Sequence, residues 1–359
     1  MFLPDLEAFK SAQEKISEQL KPFDSMKSVD EFLKDVKLNK DPIKRFLAYF
    51  LKMNVISLDP DSNSLQIIDM IPNYFQISKE IFGENFETPL EKINKTDKLT
   101  IGGDIKRCYI LLVNYCTYFG ITDLKEYPEG KLVPERLLAA IDILHPELAY
   151  LQGYDRFLLI SYALSLKFCK EIGIESIYAE AFAYNLTLSL LTNANLRKII
   201  ENPGSYEGFD FLEKKVKKYC PNTYKILKQG NIPAFTYSMR WRLLFFSDEH
   251  EVEGTLLIWD NFLLRMNEIE DYFACIGAAH VLQVEIKDDF SAVEKIQTFR
   301  DWNEVKIIND ANLIEAGMNL SKFSNGSKII IAVSIIALAA ASIYAYSKKH
   351  NLVRKLPKV

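Results

Sequence analysis

The chain has 359 residues, 48% of them hydrophobic, with 44 Lys/Arg against 48 Asp/Glu for a formal net charge of −4. That length and apolar content exclude a disordered chain and call for a large buried core, in one big domain or two small ones. Five cysteines without C-x-x-C spacing or a Cys/His cluster speak against a disulfide framework or zinc site and for reduced cytosolic thiols. The four histidines, scattered singly, offer little to a His-centred metal or acid/base site.

From the N terminus, Leu6, Phe9, Ile16 and Leu20 predict an accessory helix within a lead-in of residues 1–39. Asp5, Glu7, Lys10 and Glu14 interrupt any apolar run near Met1, so no signal peptide is expected. Helical periodicity then continues nearly everywhere from residue 40 to 290, and short alternating strand patterns bounded by N-G or D-G are absent. Leu137, Leu138, Ile141 and Leu144 after Pro134-Glu135 mark an amphipathic helix with proline in its first turn. Phe157 to Phe168 is almost wholly apolar and predicts a buried central helix stopped by Gly173. Glu175 to Leu191 predicts the next helix, Leu212, Val216 and Tyr219 a stripe on a Lys-rich one, and Leu256 to Met266 and Tyr272 to Val284 two more. Residues 291–327 read as a helical neck that ends in Ser, Asn and Gly.

The C-terminal end carries its own signal. Ile329 to Tyr346 is a run of 18 residues without charge, Pro or Gly, which as a helix spans about 27 Å, one bilayer crossing. A fully buried soluble helix is the alternative, but the apolar residues go all round. The expectation is therefore a transmembrane tail anchor over 328–347 and a basic tail over 348–359. From Lys322 onward there are seven Lys/Arg and no Asp/Glu, so the first 321 residues hold 37 basic against 48 acidic residues, a net of −11. An acidic body disfavours nucleic acid as a partner. A short span suits a thin membrane such as the endoplasmic reticulum; a basic tail after the span also fits the mitochondrial outer membrane.

Two strings within the body carry chemistry. Ile101-Gly102-Gly103-Asp104-Ile105-Lys106-Arg107 reads I-x-x-D-x-x-R, and Tyr150-Leu151-Gln152-Gly153 reads Y-x-Q-G. Further on stand Arg240-Trp241 with Phe245 and Phe246, then Ile258-Trp259-Asp260; between come Pro221, Tyr224, Leu227 and Phe235, and upstream Arg45, Tyr49 and Leu51. In this order the set resembles the TBC domain, the catalytic module of Rab GTPase-activating proteins, over about residues 40–290. Tyr49 stands where that family usually has tryptophan. The Q-G-Y wording at Gln152-Gly153-Tyr154 is closer to the C-terminally membrane-anchored branch acting on early secretory Rabs, while Asp155 stands where that branch usually has histidine and the main body asparagine.

The resemblance implies an all-α, TBC-like helical array with a C-terminal transmembrane helix, on the cytosolic face of the endoplasmic reticulum or early secretory pathway. It also implies a Rab-family GTPase in its GTP form as the partner. GTP hydrolysis needs a guanidinium against the charge of the transferred phosphoryl group and an amide that orients water. Arg107 would be the arginine finger and Gln152 the glutamine finger, both delivered in trans. Asp104 would hold the Arg107 rotamer, Gly153 would allow close backbone approach, and Tyr150 reads as a packing residue.

Each role has a bland counterpart. Taken in isolation, Arg107 reads as a surface arginine paired with Asp104 three residues earlier on the same helical face, and Gln152 has a capping or loop reading; with the other signatures in order the finger readings lead. For Trp241, Trp259 and Asp260 the structural reading leads, with aromatics anchoring a core and Asp260 capping or pairing within it; Arg45 braces helices. Nothing like G-x-x-x-x-G-K-[ST] follows Gly102-Gly103, so the chain is expected to bind no nucleotide or other small-molecule substrate. It needs no cofactor of its own, since GTP and Mg²⁺ belong to the partner. Two other functions stay open: a TBC-like scaffold that binds Rabs without accelerating hydrolysis, and an unrelated tail-anchored helical tether.

Overall fold

The computed structural model describes residues 5–21, 41–57, 63–194, 196–318 and 320. All regular structure among them is helical, in two compact units, Met1–Tyr206 with Met239–Asn267, and Glu207–Ser238 with Glu268 onward.

In the first unit, α1 (Leu6–Leu20) starts under an Asp5 cap and buries Ala12, Ile16 and Leu20 at helical spacing. It packs on α3 (Asn63–Phe82) and on the long apolar helix that follows the Y-x-Q-G string. α2 (Pro42–Lys52) opens with proline in its first turn and Asp41 accepting from the amides of Ile43 and Lys44. α4 (Lys95–Tyr118) is capped by Asn94, which accepts from the Asp97 amide at 2.9 Å. α5 (Leu132–Leu144) precedes the Y-x-Q-G turn. α6 (Tyr154–Ile172) is buried almost all round and is ended by Gly173 at φ 68°, where a side chain would be strained.

Because α6 has no polar face to turn outward, it must be enclosed. α2, α4, α5 and α7 (Ala179–Ala194) pack against it, with Phe46 stacked on Phe168 at 3.8 Å and Phe182 edge-on to both. Such a ring cluster contributes about 0.5–1.5 kcal/mol per pair beyond area burial. The short α8 (Leu196–Glu201) and α12 (Val252–Leu263) complete the helices that lie wholly in this unit.

The second unit pairs α9 (Glu207–Tyr219) with α13 (Ile269–Val281), and α13 with α15 (Glu304–Glu315). α9 and α13 approach closely at Gly277, where an added Cβ would stand 2.9 Å from Leu212 Cδ1. α10 (Pro221–Gln229) and α14 (Ala292–Thr298) belong to the same unit, and α11 (Ala234–Leu243) spans the boundary at Ser238. The residues expected to form the neck thus supply α14 and α15, which bury Ile296, Ile307 and Ile314.

No helix among the described residues is long and apolar enough to cross a membrane. The segment 328–347, read from sequence as the anchor, lies outside the described residues, as does the tail 348–359.

Candidate functional site

α4 buries Ile101, Asp104, Ile105 and Cys108 along one face. That registration leaves Arg107 on the border of the buried stripe, with its side chain 60% exposed. Its Nη2 pairs with Asp104 Oδ1 one turn earlier, and its Nη1 lies 3.3 Å from where a Cβ on Gly103 would be. A side chain at 103 would therefore press on the guanidinium, so glycine keeps that path open.

Asp104 is buried, and its second oxygen accepts from the Tyr150 hydroxyl at 2.8 Å. Burial raises the Asp104 carboxyl above its ordinary range and the neighbouring Asp155 charge adds to this, while the Tyr150 hydrogen bond, Arg107 and Arg156 oppose it. Tyr150 is shifted upward as well, first by burial and then by Asp155 and Asp104, so it stays a donor. Tyr150, read from sequence as packing, does pack, edge-on to Tyr154 at 5.7 Å; its hydroxyl in addition ties the Y-x-Q-G string to α4.

Two residues on, Gln152 is exposed in the turn that leads into α6 and makes no hydrogen bond among the described residues. Gly153 ends that turn at φ 112°, and a Cβ there would stand 2.6 Å from Leu244 Cδ2. Both backbone and space demand glycine. The Gly153 amide donates to Asp155 Oδ1 at 3.1 Å. Asp155 Oδ2 accepts from Arg156 Nη1 at 2.5 Å, and Arg156 also reaches Asp248 Oδ1 at 2.8 Å and the Cys108 sulfur. Burial opposes the Arg156 charge, but Asp248 and Asp155 hold its pKa above the usual range; burial, aided by Asp155, pushes the Cys108 thiol up to about 12. None of Cys108, Arg156 or Asp248 stands out in the sequence. The salt bridge from Arg156 to Asp248 crosses 92 positions, which no local pattern encodes.

The signature residues of the later strings lie in the interior of the same unit. Arg45 makes a two-pronged pair with Asp260, Nε to Oδ1 at 3.1 Å and Nη2 to Oδ2 at 2.9 Å. The Tyr49 hydroxyl donates to the same Oδ1 at 2.7 Å. Tyrosine at this position thus serves as a buried hydrogen-bond donor to the carboxylate. Trp259 donates to the Phe245 carbonyl at 3.0 Å, and Trp241 stacks on Phe246 at 5.5 Å. Phe245 and Phe246 both have positive φ, 46° and 60°, conformations held by this packing. Arg45, Tyr49, Trp241, Trp259 and Asp260 are therefore part of the core, whereas Arg107 and Gln152 are exposed and joined through Asp104 and Tyr150.

The geometry is that of a presenting surface: a guanidinium steadied by a buried carboxylate, beside a turn with an unengaged amide. The crystal structure of the Ypt/Rab-GAP domain of Gyp1p is similar over 90% of this chain and 98% of that one, with a TM-score of 0.54 and 14% identity, a likeness of fold. No curated protein sequence matches the chain. A family model, RabGAP-TBC, the Rab-GTPase-TBC domain, matches residues 68–287, more than half of the chain. With this model spanning both strings, and with all regular structure helical among the described residues, the chain belongs to the Rab-GTPase-TBC domain family.

Proposed function

We propose that this chain is a GTPase-activating protein for a Rab-family small GTPase, and that it places Arg107 and Gln152 into the partner's nucleotide site. The observation that carries the proposal is the Arg107–Asp104–Tyr150 connection, which steadies an exposed guanidinium and ends on Tyr150, two residues before an exposed glutamine. GTP and Mg²⁺ are held by the Rab. The Arg107 guanidinium neutralises charge on the oxygens of the γ-phosphoryl group and its leaving side, and the Gln152 amide orients the attacking water. Asp104 and Tyr150 touch no substrate; they hold the guanidinium before the encounter, so its ordering cost is met in the free protein.

Single-turnover GTP hydrolysis with a panel of Rabs tests this reading. The same panel gives a binding prediction: Rab·GDP with aluminium or beryllium fluoride should bind the chain at least about 100-fold more tightly than Rab·GDP, because the site is complementary to transition-state charge. Equal affinity for both forms points instead to a Rab-binding scaffold.

The apolar run Ile329–Tyr346 and the Q-G-Y wording support a tail-anchored protein on the cytosolic face of the endoplasmic reticulum or early secretory pathway. Confinement with a membrane-bound Rab raises the effective concentration of both partners. The full chain should then resist carbonate extraction, and a glycosylation acceptor appended after Val359 should be modified. An unmodified, carbonate-resistant chain places the tail in another organelle such as the mitochondrial outer membrane, and a chain that washes off has no anchor.

A further inference from the structure

Gln152 has no hydrogen-bond partner among the described residues, so only its backbone sets where the amide points. That backbone is fastened to α4 twice. The first fastening is the Tyr150 hydroxyl on Asp104. The second begins one residue after Gln152. The Gly153 amide is held by Asp155 Oδ1, the other Asp155 oxygen by Arg156 Nη1, and that same Nη1 meets the sulfur of Cys108, the neighbour of Arg107 on α4. Arg156 Nε closes the set on Asp248. Asp155 is 1% exposed, so this carboxylate faces the turn, the arginine and the α4 groups beside them and is shielded from solvent.

We propose that Asp155 is a positioning residue for Gln152 and that Arg156 locks it in place by gripping Asp155, Cys108 and Asp248 together. The inference rests on the reading of Gln152 as the water-orienting group. The physical need is clear: a glycine at φ 112° is conformationally permissive, and without an acceptor for its amide the turn can pivot. A shift of about 1 Å in a group that orients water costs up to about 100-fold in rate. The carboxylate supplies both ends of the clamp at once, an acceptor for Gly153 and a counter-charge for Arg156.

The test is a double-mutant cycle on the full-length chain, with kcat and KM for a responsive Rab as readouts. Asp155→Ala is expected to lower kcat by about 10-fold or more with KM changed less than about 2-fold. In a Gln152→Ala background the same substitution should cost less than about 2-fold, because the group it positions is gone. Asp155→Asn keeps an oxygen for the Gly153 amide and should recover kcat to within about 3-fold of the parent, while hydrogen exchange at the Gly153 amide quickens in Asp155→Ala and not in Asp155→Asn. If Asp155→Ala does not fold, Arg156→Lys, which loses the fork onto Asp248 and Cys108, takes its place in the cycle. Effects of Asp155 and Gln152 that simply multiply would overturn the proposal while leaving the glutamine reading intact. A Gln152→Ala protein with the parent rate overturns the glutamine reading and this inference with it.

Discussion

Replacing Arg107 with alanine or with lysine is expected to lower Rab GTP hydrolysis by about 10³-fold or more, about 4 kcal/mol of transition-state stabilisation. Lysine is no rescue, because a point ammonium cannot present the planar fork that meets two phosphate oxygens at once. The fold should survive either change, since the side chain is 60% exposed. Asp104, left without its partner, still accepts from Tyr150 and still feels Arg156. Single-turnover kinetics on the purified variants, with circular dichroism as the control, decides the matter. An Arg107→Ala protein that stimulates hydrolysis at the parent rate would sink the arginine-finger mechanism. The bland reading of Arg107 as one half of a structural i, i+3 ion pair makes the opposite forecast: its loss changes stability, since the Asp104 carboxylate is buried, and leaves activity unchanged.

The second large effect is on stability and concerns the opposite kind of arginine. Arg45 is 3% exposed, and Asp260 offers it two oxygens while also accepting from Tyr49. Desolvation opposes both charges, pushing the Asp260 carboxyl up and working against the Arg45 cation; their mutual attraction and the hydrogen bonds offset it. Asp260→Ala leaves a buried guanidinium unpaired and should destabilise the first unit by about 3–5 kcal/mol. Tyr49→Phe keeps the ion pair and removes one donor, for a cost of about 1–2 kcal/mol. Urea denaturation followed by tryptophan fluorescence gives both values. If Asp260→Ala costs less than Tyr49→Phe, the pair does not brace the core. The two predictions separate the site from the scaffold. Arg107 should matter to rate and hardly to stability, and Arg45 to stability first.

Much of the fold was legible because helix periodicity is local. The apolar run from Phe157 to Phe168 demanded burial on all sides, and the chain answers with α6, enclosed by α1, α2, α4, α5 and α7 and ended at Gly173. The helix expected over 175–191 begins instead with a 3₁₀ turn at Ser176–Tyr178 before α7 runs to Ala194. Helix ends are set by capping and packing, and the apolar period leaves them loosely defined. The neck illustrates a different limit. Over its described residues it holds the helices Ala292–Thr298 and Glu304–Glu315, but the burial of Ile296, Ile307 and Ile314 depends on which other helices share that unit.

At the candidate site, the sequence by itself determined which chemistry was on offer: an arginine, a glutamine and an aspartate at one helical turn from the arginine, in an order that resembles one family. Only the tertiary structure decided how these groups are held. Tyr150 reaches Asp104 across 46 positions, Arg156 reaches Asp248 across 92, and Tyr49 reaches Asp260 across 211. The reason is physical. A periodic pattern records which face of a helix is apolar, over windows of ten to twenty residues. A buried hydrogen bond instead depends on where two distant backbones come to rest, which is settled by the packing of the whole core.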